Sequence, residues 1–400
     1  MQTCGHNGQD DPGEYAMQLV SASILPMVLK AAIELGVFDV IDKAGSGAQL
    51  SPSQIAAQIA PGNKPEAPLV LEQILRLLAS HSILTYSVSD DQIHRVVYGL
   101  APVAKYFVQN QQEGSEGSLR LMLNIVQDKV ILNTWYHLKD AVLEGGNLFN
   151  RAYEMTPTEY IQRNDPGFGE LLMSSLREFN PIFTRKMLER YTGFEGLNSL
   201  VDVGGGDGSI LNMIVSKYPN IKGINFDLVA VIEKSPSYPG TVSIFTSCVM
   251  MIDKHLLVIK LDKSWNVIVK YYTLLLTFDD LLQVLSMWQG ICLLTFQMEK
   301  FIIHQFDDER CLKILKNCYE AIPINGKVIV VDMLVPDAPE TSLAGKSLFQ
   351  YEFLMMNTNT GGKEKTRREF ESLAKEAGFS HIQVPCSAYN FSVVEFYKSF

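Results

Sequence analysis

The stretch Leu200 to Gly208, Leu-Val-Asp-Val-Gly-Gly-Gly-Asp-Gly, constrains this chain more than any other. An apolar strand pattern stops at a run of glycines, and a helical pattern follows from Ser209 to Tyr218. The expected structure is a strand, a tight turn and a helix N-terminus. Glycines suit such a turn because it uses backbone angles that a Cβ resists, and because bare backbone lets a ligand approach closely. Gly223 to Leu228, Gly-Ile-Asn-Phe-Asp-Leu, predicts a second strand that ends near Asp227. Asp227 lies 23 positions after Gly204. That is near the roughly 20 that separate the first glycine of a βαβ nucleotide site from its ribose-binding acid.

The glycine spacing separates two classes of ligand. A dinucleotide fingerprint, G-x-G-x-x-G, would need its third glycine where Ser209 or Leu211 stands. Gly204, Gly206 and Gly208 give G-x-G-x-G instead. Nicotinamide and flavin sites are therefore disfavoured, and the pattern is that of S-adenosylmethionine-dependent methyltransferases. The bland alternative is a glycine-rich turn with no ligand, against which Asp202 and Asp227 both count.

Four hundred residues are enough for two domains with a sizeable core. A net charge of −10 and a pI near 5.3 argue against nucleic acid or an anionic membrane as partner. Met1 to Gln18 is polar and acidic and lacks the apolar core of a signal peptide, and the uncharged stretch Leu281 to Met298 carries too many polar residues for a membrane span. The six cysteines show no C-x-x-C spacing, which predicts reduced thiols in a cytoplasmic protein. Cys311 and Cys318 fall seven apart on a helical pattern and read as core residues rather than ligands, so no metal site is expected.

Along the chain, Tyr15 to Leu35 predicts one helix with a broad apolar face, suited to a second subunit. Ser51-Pro52 starts another helix, Pro68 to Ser80 makes a third, and Ile83 to Ser87 with His94 to Leu100 reads as a hairpin around Ser89-Asp90-Asp91. Helices followed by a hairpin suggest a winged helix. Acids outnumber bases ten to six over residues 1–110, which removes the electrostatic basis for DNA binding. A mainly helical, winged-helix-like dimerisation domain over 1–120 is the better reading. Val126 to Leu143 and Pro166 to Tyr191 predict helices, as do Asp307 to Ala321 and Arg367 to Ala377. Strands are expected at Lys327 to Leu334, around Val384 and at Ser392 to Tyr397. Alternation of strand and helix from about residue 199 predicts an α/β, Rossmann-like doubly wound sheet in a domain spanning 121–400.

Further motifs cover most of the chain: Gly99-Leu-Ala-Pro-Val-Ala-Lys-Tyr, Trp135-Tyr-His-Leu-Lys-Asp-Ala-Val, Tyr191-Thr-Gly-Phe-Glu-Gly, Leu200-Val-Asp-Val-Gly-Gly-Gly, Ile221-Lys-Gly-Ile-Asn-Phe-Asp-Leu and Gly361-Gly-Lys-Glu. With these the chain resembles the plant caffeic acid O-methyltransferase type of small-molecule methyltransferases. The resemblance implies a homodimer, S-adenosylmethionine as methyl donor and a phenolic small-molecule acceptor. It implies Gly204, Gly206, Asp227 and Lys300 as cofactor-binding residues. It also implies His304 as general base, with Asp332 (where the caffeate enzymes have Glu) and Glu364 holding the imidazole. Met355, Asn359, Ile131 and Phe168 are the implied acceptor-binding residues. An imidazole can assist deprotonation of a phenol, and most of the acceleration would come from alignment.

Two departures stand out against the family pattern. Val126 and Ile161 replace an asparagine and a histidine of the acceptor side, and Ile161 cannot donate a hydrogen bond. The larger departure lies between Gly240 and Lys300, where a short segment with a Gly-Asp-Met-Phe motif is expected. Here Thr241 to Lys300 holds a single glycine and no proline, against 28 Gly and 17 Pro in the whole chain. Turns need these residues, so residues 241–299 read as an anomalous segment, either translated intron or out-of-frame sequence or a genuine insertion. A catalytically impaired homologue that serves as a dimer partner is accordingly the alternative to an active enzyme.

Overall fold

The computed structural model describes residues 11–59, 64–88, 96–109, 117–228, 232–233, 235–246, 256–260, 266–270, 291–294, 303–304, 306–357 and 362–398. They divide into two compact units, one of residues 1–133 and 170–179, the other of 134–169 and 180–400.

In the first unit, helices Pro12–Val20, Ile24–Glu34, Val37–Lys43, Pro52–Ile59 and Ala67–Ser80 precede a hairpin of β1 (Leu84–Val88) and antiparallel β2 (Val96–Leu100). The expected single helix from Tyr15 to Leu35 is two helices bent by 50°. Ser21 explains the break: its hydroxyl donates to the Met17 and Gln18 carbonyls, a local bond that competes with the helical ladder. Ser51 caps helix Pro52–Ile59 as expected, accepting from Gln54 N while Gln54 Oε1 accepts from Ser51 N. Phe38, Ile55, Leu75, Leu78 and Tyr98 form the core of this unit. Ser89-Asp90-Asp91 and His94 lie outside the described residues.

The expected helix from Val126 to Leu143 is also divided, into Arg120–Val126, Lys129–Thr134, a short 3₁₀ turn at Trp135–His137, and Leu138–Glu144. Asp128 causes the first break, since its Oδ1 accepts from Val130 N and starts a new helix. Helix Pro166–Arg190 forms as the pattern predicts.

The sheet of the second unit contains β3 (Ser199–Val203), β4 (Lys222–Leu228), β5 (Thr241–Thr246), β8 (Ile291–Leu294), β9 (Lys327–Val335), β11 (His381–Ala388) and β12 (Phe391–Tyr397) in the order β11-β12-β9-β8-β3-β4-β5. A short β10 (Lys365–Thr366) adds to β9, and β6 (Leu256–Lys260) with β7 (Asn266–Lys270) forms a separate hairpin. Strands β5, β4, β3, β8 and β9 run parallel, and β12 is antiparallel to both β9 and β11. The chain enters at β3, builds outward to β5 and returns to the other side of β3 with β8. That reversal is the switch point at which open α/β sheets bind ligands, beyond the carboxyl ends of the strands.

Residues 241–299 do not merely interrupt this sheet: the segment supplies β5 at its start and β8 near its end. The shortage of glycine and proline bears on turns, whereas a central parallel strand needs only a short apolar run, which Ile-Cys-Leu-Leu provides.

Helices Asp308–Ala321 and Arg367–Ala377 cover one face, burying Ile314, Leu315, Phe370 and Leu373 against Val328, Val330, Val394 and Phe396. At the amino end of β9 a buried polar knot ties strands together: Glu395 accepts from Tyr191 at 2.5 Å, from Tyr397 at 2.6 Å and from Lys327. Desolvation alone would raise the Glu395 carboxyl, but these three donors outweigh it and hold it below its ordinary value.

Candidate active site

The turn after β3 needs its glycines. Gly204, Gly206 and Gly208 have φ of +72°, +55° and +78°, a region that side chains other than glycine rarely adopt. At Gly205 a Cβ would fall 2.1 Å from Asn225 Oδ1 and 2.7 Å from the Asp202 carboxyl. The turn therefore lies directly on two buried polar side chains. Asn225 stands opposite Asp202 across β3 and β4, and its amide donates to the Gly206 carbonyl at 3.0 Å. Its signal in the sequence is an amide within an apolar strand, two positions before Asp227. Asp227 is the penultimate residue of β4, paired in register with Phe245 of β5 near the carboxyl edge. Lys300 lies outside the described residues.

His304, Asp332 and Glu364 come together, although 60 positions separate the first from the last. They are 1%, 4% and 3% exposed. Asp332, in β9, brings Oδ1 to 2.6 Å from His304 Nδ1 and also accepts from the Met333 amide at 2.8 Å. Glu364, one residue before β10, places Oε2 at 3.4 Å from the same nitrogen. Both carboxyls thus face Nδ1, which leaves Nε2 as the nitrogen through which the ring can act. Burial, reinforced by the charges of Asp332 and Glu352, pushes the Glu364 carboxyl up to about 10. It is a neutral acid at pH 7. The ligand-type atoms of the three residues lie within 4.8 Å of one another. The 2.6 Å contact is nevertheless a hydrogen bond, shorter than the roughly 3 Å that neighbouring ligand atoms keep around a zinc-sized ion.

The segment that carries His304 is held from the helix Asp308–Ala321. The Cys311 thiol donates to the Ile303 carbonyl at 2.9 Å and approaches the Phe306 carbonyl at 3.4 Å. Lys365, beside Glu364 and 1% exposed, bonds Asp308 Oδ1 at 2.8 Å. Heptad spacing shows Cys311 as core, which it is, but hides the hydrogen bond because its acceptor is a backbone carbonyl.

Met355 and Glu364 line one cavity of about 400 Å³ together with Glu352, Phe353, Met356 and Lys363. Asn359 lies outside the described residues. Phe168, the third residue of helix Pro166–Arg190, meets Tyr160 edge-on at 6.4 Å, and Tyr160 in turn meets Phe149 and Tyr153. Ile161 packs so tightly on Gly169 that a Cβ there would lie 2.4 Å from its Cγ2. Ile131 is buried on helix Lys129–Thr134 of the first unit.

A glycine turn at the switch point, with a buried histidine bonded to Asp332 and faced by Glu364 at the same edge of the sheet, makes this a Rossmann-like α/β fold with a candidate acid–base site. The chain matches an O-methyltransferase domain over residues 135–247 and 295–380 and an O-methyltransferase dimerisation domain over 17–110. It is 46% identical to caffeic acid 3-O-methyltransferase of Medicago sativa over 98% of this chain and 96% of that one. It is 44% identical to O-methyltransferase 13 of Lophophora williamsii, again over 98% and 96%. Its fold is that of human N-acetylserotonin methyltransferase in complex with SAM, with a TM-score of 0.70, 20% identity and coverage of 99% and 100%. The chain belongs to the O-methyltransferase family, whose methyl donor is S-adenosylmethionine.

Proposed function

We propose that this chain methylates a hydroxyl of a phenolic small molecule of the phenylpropanoid kind, with His304 as general base. The observation that carries the reading is the 2.6 Å bond from His304 Nδ1 to Asp332, which fixes the ring and presents Nε2 as acceptor. S-adenosylmethionine supplies an electrophilic methyl on a sulfonium. The turn suits it in its place at the carboxyl end of β3 and in the positive φ of Gly204, Gly206 and Gly208, which residues with a Cβ rarely adopt. Gly204, Gly206 and Asp227 would hold it, with Lys300 on the adenine side. His304 takes the phenol proton at Nε2 while Nδ1 keeps its own proton and donates it to Asp332, so the charge gained by the ring faces a carboxylate. Similarity to caffeic acid methyltransferases supports a phenolic acceptor, and Ile161 in place of a hydrogen-bond donor favours a less polar one. The dimerisation domain supports a homodimer.

His304→Ala is expected to lower kcat by roughly 10²-fold or more and to leave affinity for S-adenosylhomocysteine within about twofold. Turnover is measured in the chain as it stands, or in a version whose residues 247–290 are replaced by a short loop. Unchanged turnover in the variant would overturn the base assignment. One observation favours the impaired-partner reading instead: the match to the O-methyltransferase domain skips 248–294. Failure of the unaltered chain to bind S-adenosylhomocysteine would decide for that reading.

A further inference from the structure

We propose that Cys311 is a positioning residue for His304, and that the first turn of helix Asp308–Ala321 holds both sides of the acid–base group. The proposal rests on His304 being the base. Ile303, His304 and Phe306 belong to no helix or strand, so no backbone ladder fixes them. Cys311 restrains their backbone: it is fully buried and its Sγ lies 2.9 Å from the Ile303 carbonyl and 3.4 Å from that of Phe306. These carbonyls flank His304. One thiol therefore fixes the backbone end of the histidine, while Asp332 fixes the ring. Burial pushes the thiol up to about 12, so it remains a donor throughout the working range. The same helix is rooted where it begins: Asp307 Oδ1 accepts from Arg310 N, and Cys311 N donates to the Asp307 carbonyl. From that turn Asp308 reaches Lys365, the neighbour of Glu364. A shift of the helix start would thus move His304 and Glu364 together. Alignment of reacting atoms is sensitive to displacements well below an ångström.

The test compares Cys311→Ala, which deletes the donor, with Cys311→Ser, which keeps one. In Cys311→Ala, kcat is expected to fall about tenfold, with KM for S-adenosylmethionine and for a catechol acceptor within about twofold. Cys311→Ser is expected to recover most of the loss. A second readout does not depend on turnover. With ¹⁵N-labelled histidine, the Nδ1–H resonance of His304, assigned by its absence in His304→Ala, should shift or broaden in Cys311→Ala and return in Cys311→Ser. An unmoved resonance in Cys311→Ala, or a kcat loss that Ser does not recover, would overturn the positioning role. Failure of the reading beneath it looks different: His304→Ala would then keep full turnover.

Discussion

A carboxyl group buried beside a second carboxylate ionises against two costs, lost hydration and like charge, and Glu364 meets both. Of the two carboxyls, Asp332 is the one hydrogen-bonded to His304. The upward shift of Glu364 makes stability depend on pH. The Glu364 carboxyl moves from 4.5 to about 10 on folding, so between those values the folded chain holds a proton that the unfolded chain has released. Stability from this group is fully present below about pH 4.5 and declines as pH rises, by up to about 1.4 kcal/mol per pH unit. Glu364→Gln should flatten urea-unfolding stability measured at pH 5.5, 7 and 8.5, and should be the more stable form at pH 8.5. A slope as steep as that of the parent would contradict the assignment. That His304, Asp332 and Glu364 meet was expected from the family resemblance, although Asp332 stands where the caffeate enzymes have Glu. The contacts of Asn225, Cys311 and Lys365 were not legible in the sequence, because their partners are the Gly206 carbonyl, the Ile303 carbonyl and an exposed Asp308, which no spacing rule connects.

Helix Pro12–Val20 poses the question of its own stability. It has nine residues and none is buried, while Tyr15, Met17, Leu19 and Val20 all stand exposed. A helix this short is marginal in water, and helices in proteins are held chiefly by packing of an apolar face. A second copy of the chain is the cover that fits, since the dimerisation-domain match begins at residue 17. The chain should sediment as a dimer at micromolar concentration, and a Met17→Asp, Val20→Asp double variant should sediment as a monomer. A parent that runs as a monodisperse monomer would remove the homodimer. Long, strongly patterned elements such as Pro166–Arg190 and Arg367–Ala377 were readable at their full length. The two helices that proved broken share one physical reason: Ser21 and Asp128 bond to nearby backbone, and hydrophobic periodicity does not register such bonds.

At the scale of the whole molecule the open question is how residues 241–299 affect ligand binding. The sheet does not lack strands, because β5 and β8 both come from this segment and β8 lies between β3 and β9. The departure from the family pattern falls immediately beyond β5 in the sequence. In the family register the acid and the apolar residue that hold the adenosine fall near Ser247 and Cys248, which lie outside the described residues, and neither side chain can replace the missing pair. On the proposed reading Asp227 would still offer one carboxylate, so binding is expected to be weakened rather than abolished. Loss of one good hydrogen bond to the adenine costs on the order of 1 to 3 kcal/mol, or roughly five- to more than a hundredfold in affinity. The decisive variant keeps β5 and β8 and replaces only 247–290 with a short loop that begins with the Asp-Met pair. Calorimetry with S-adenosylhomocysteine should show this version binding at least about fivefold more tightly than the parent. Equal affinity would mean that the segment is a tolerated insertion, and that the chain as it stands binds its methyl donor without the motif its relatives use.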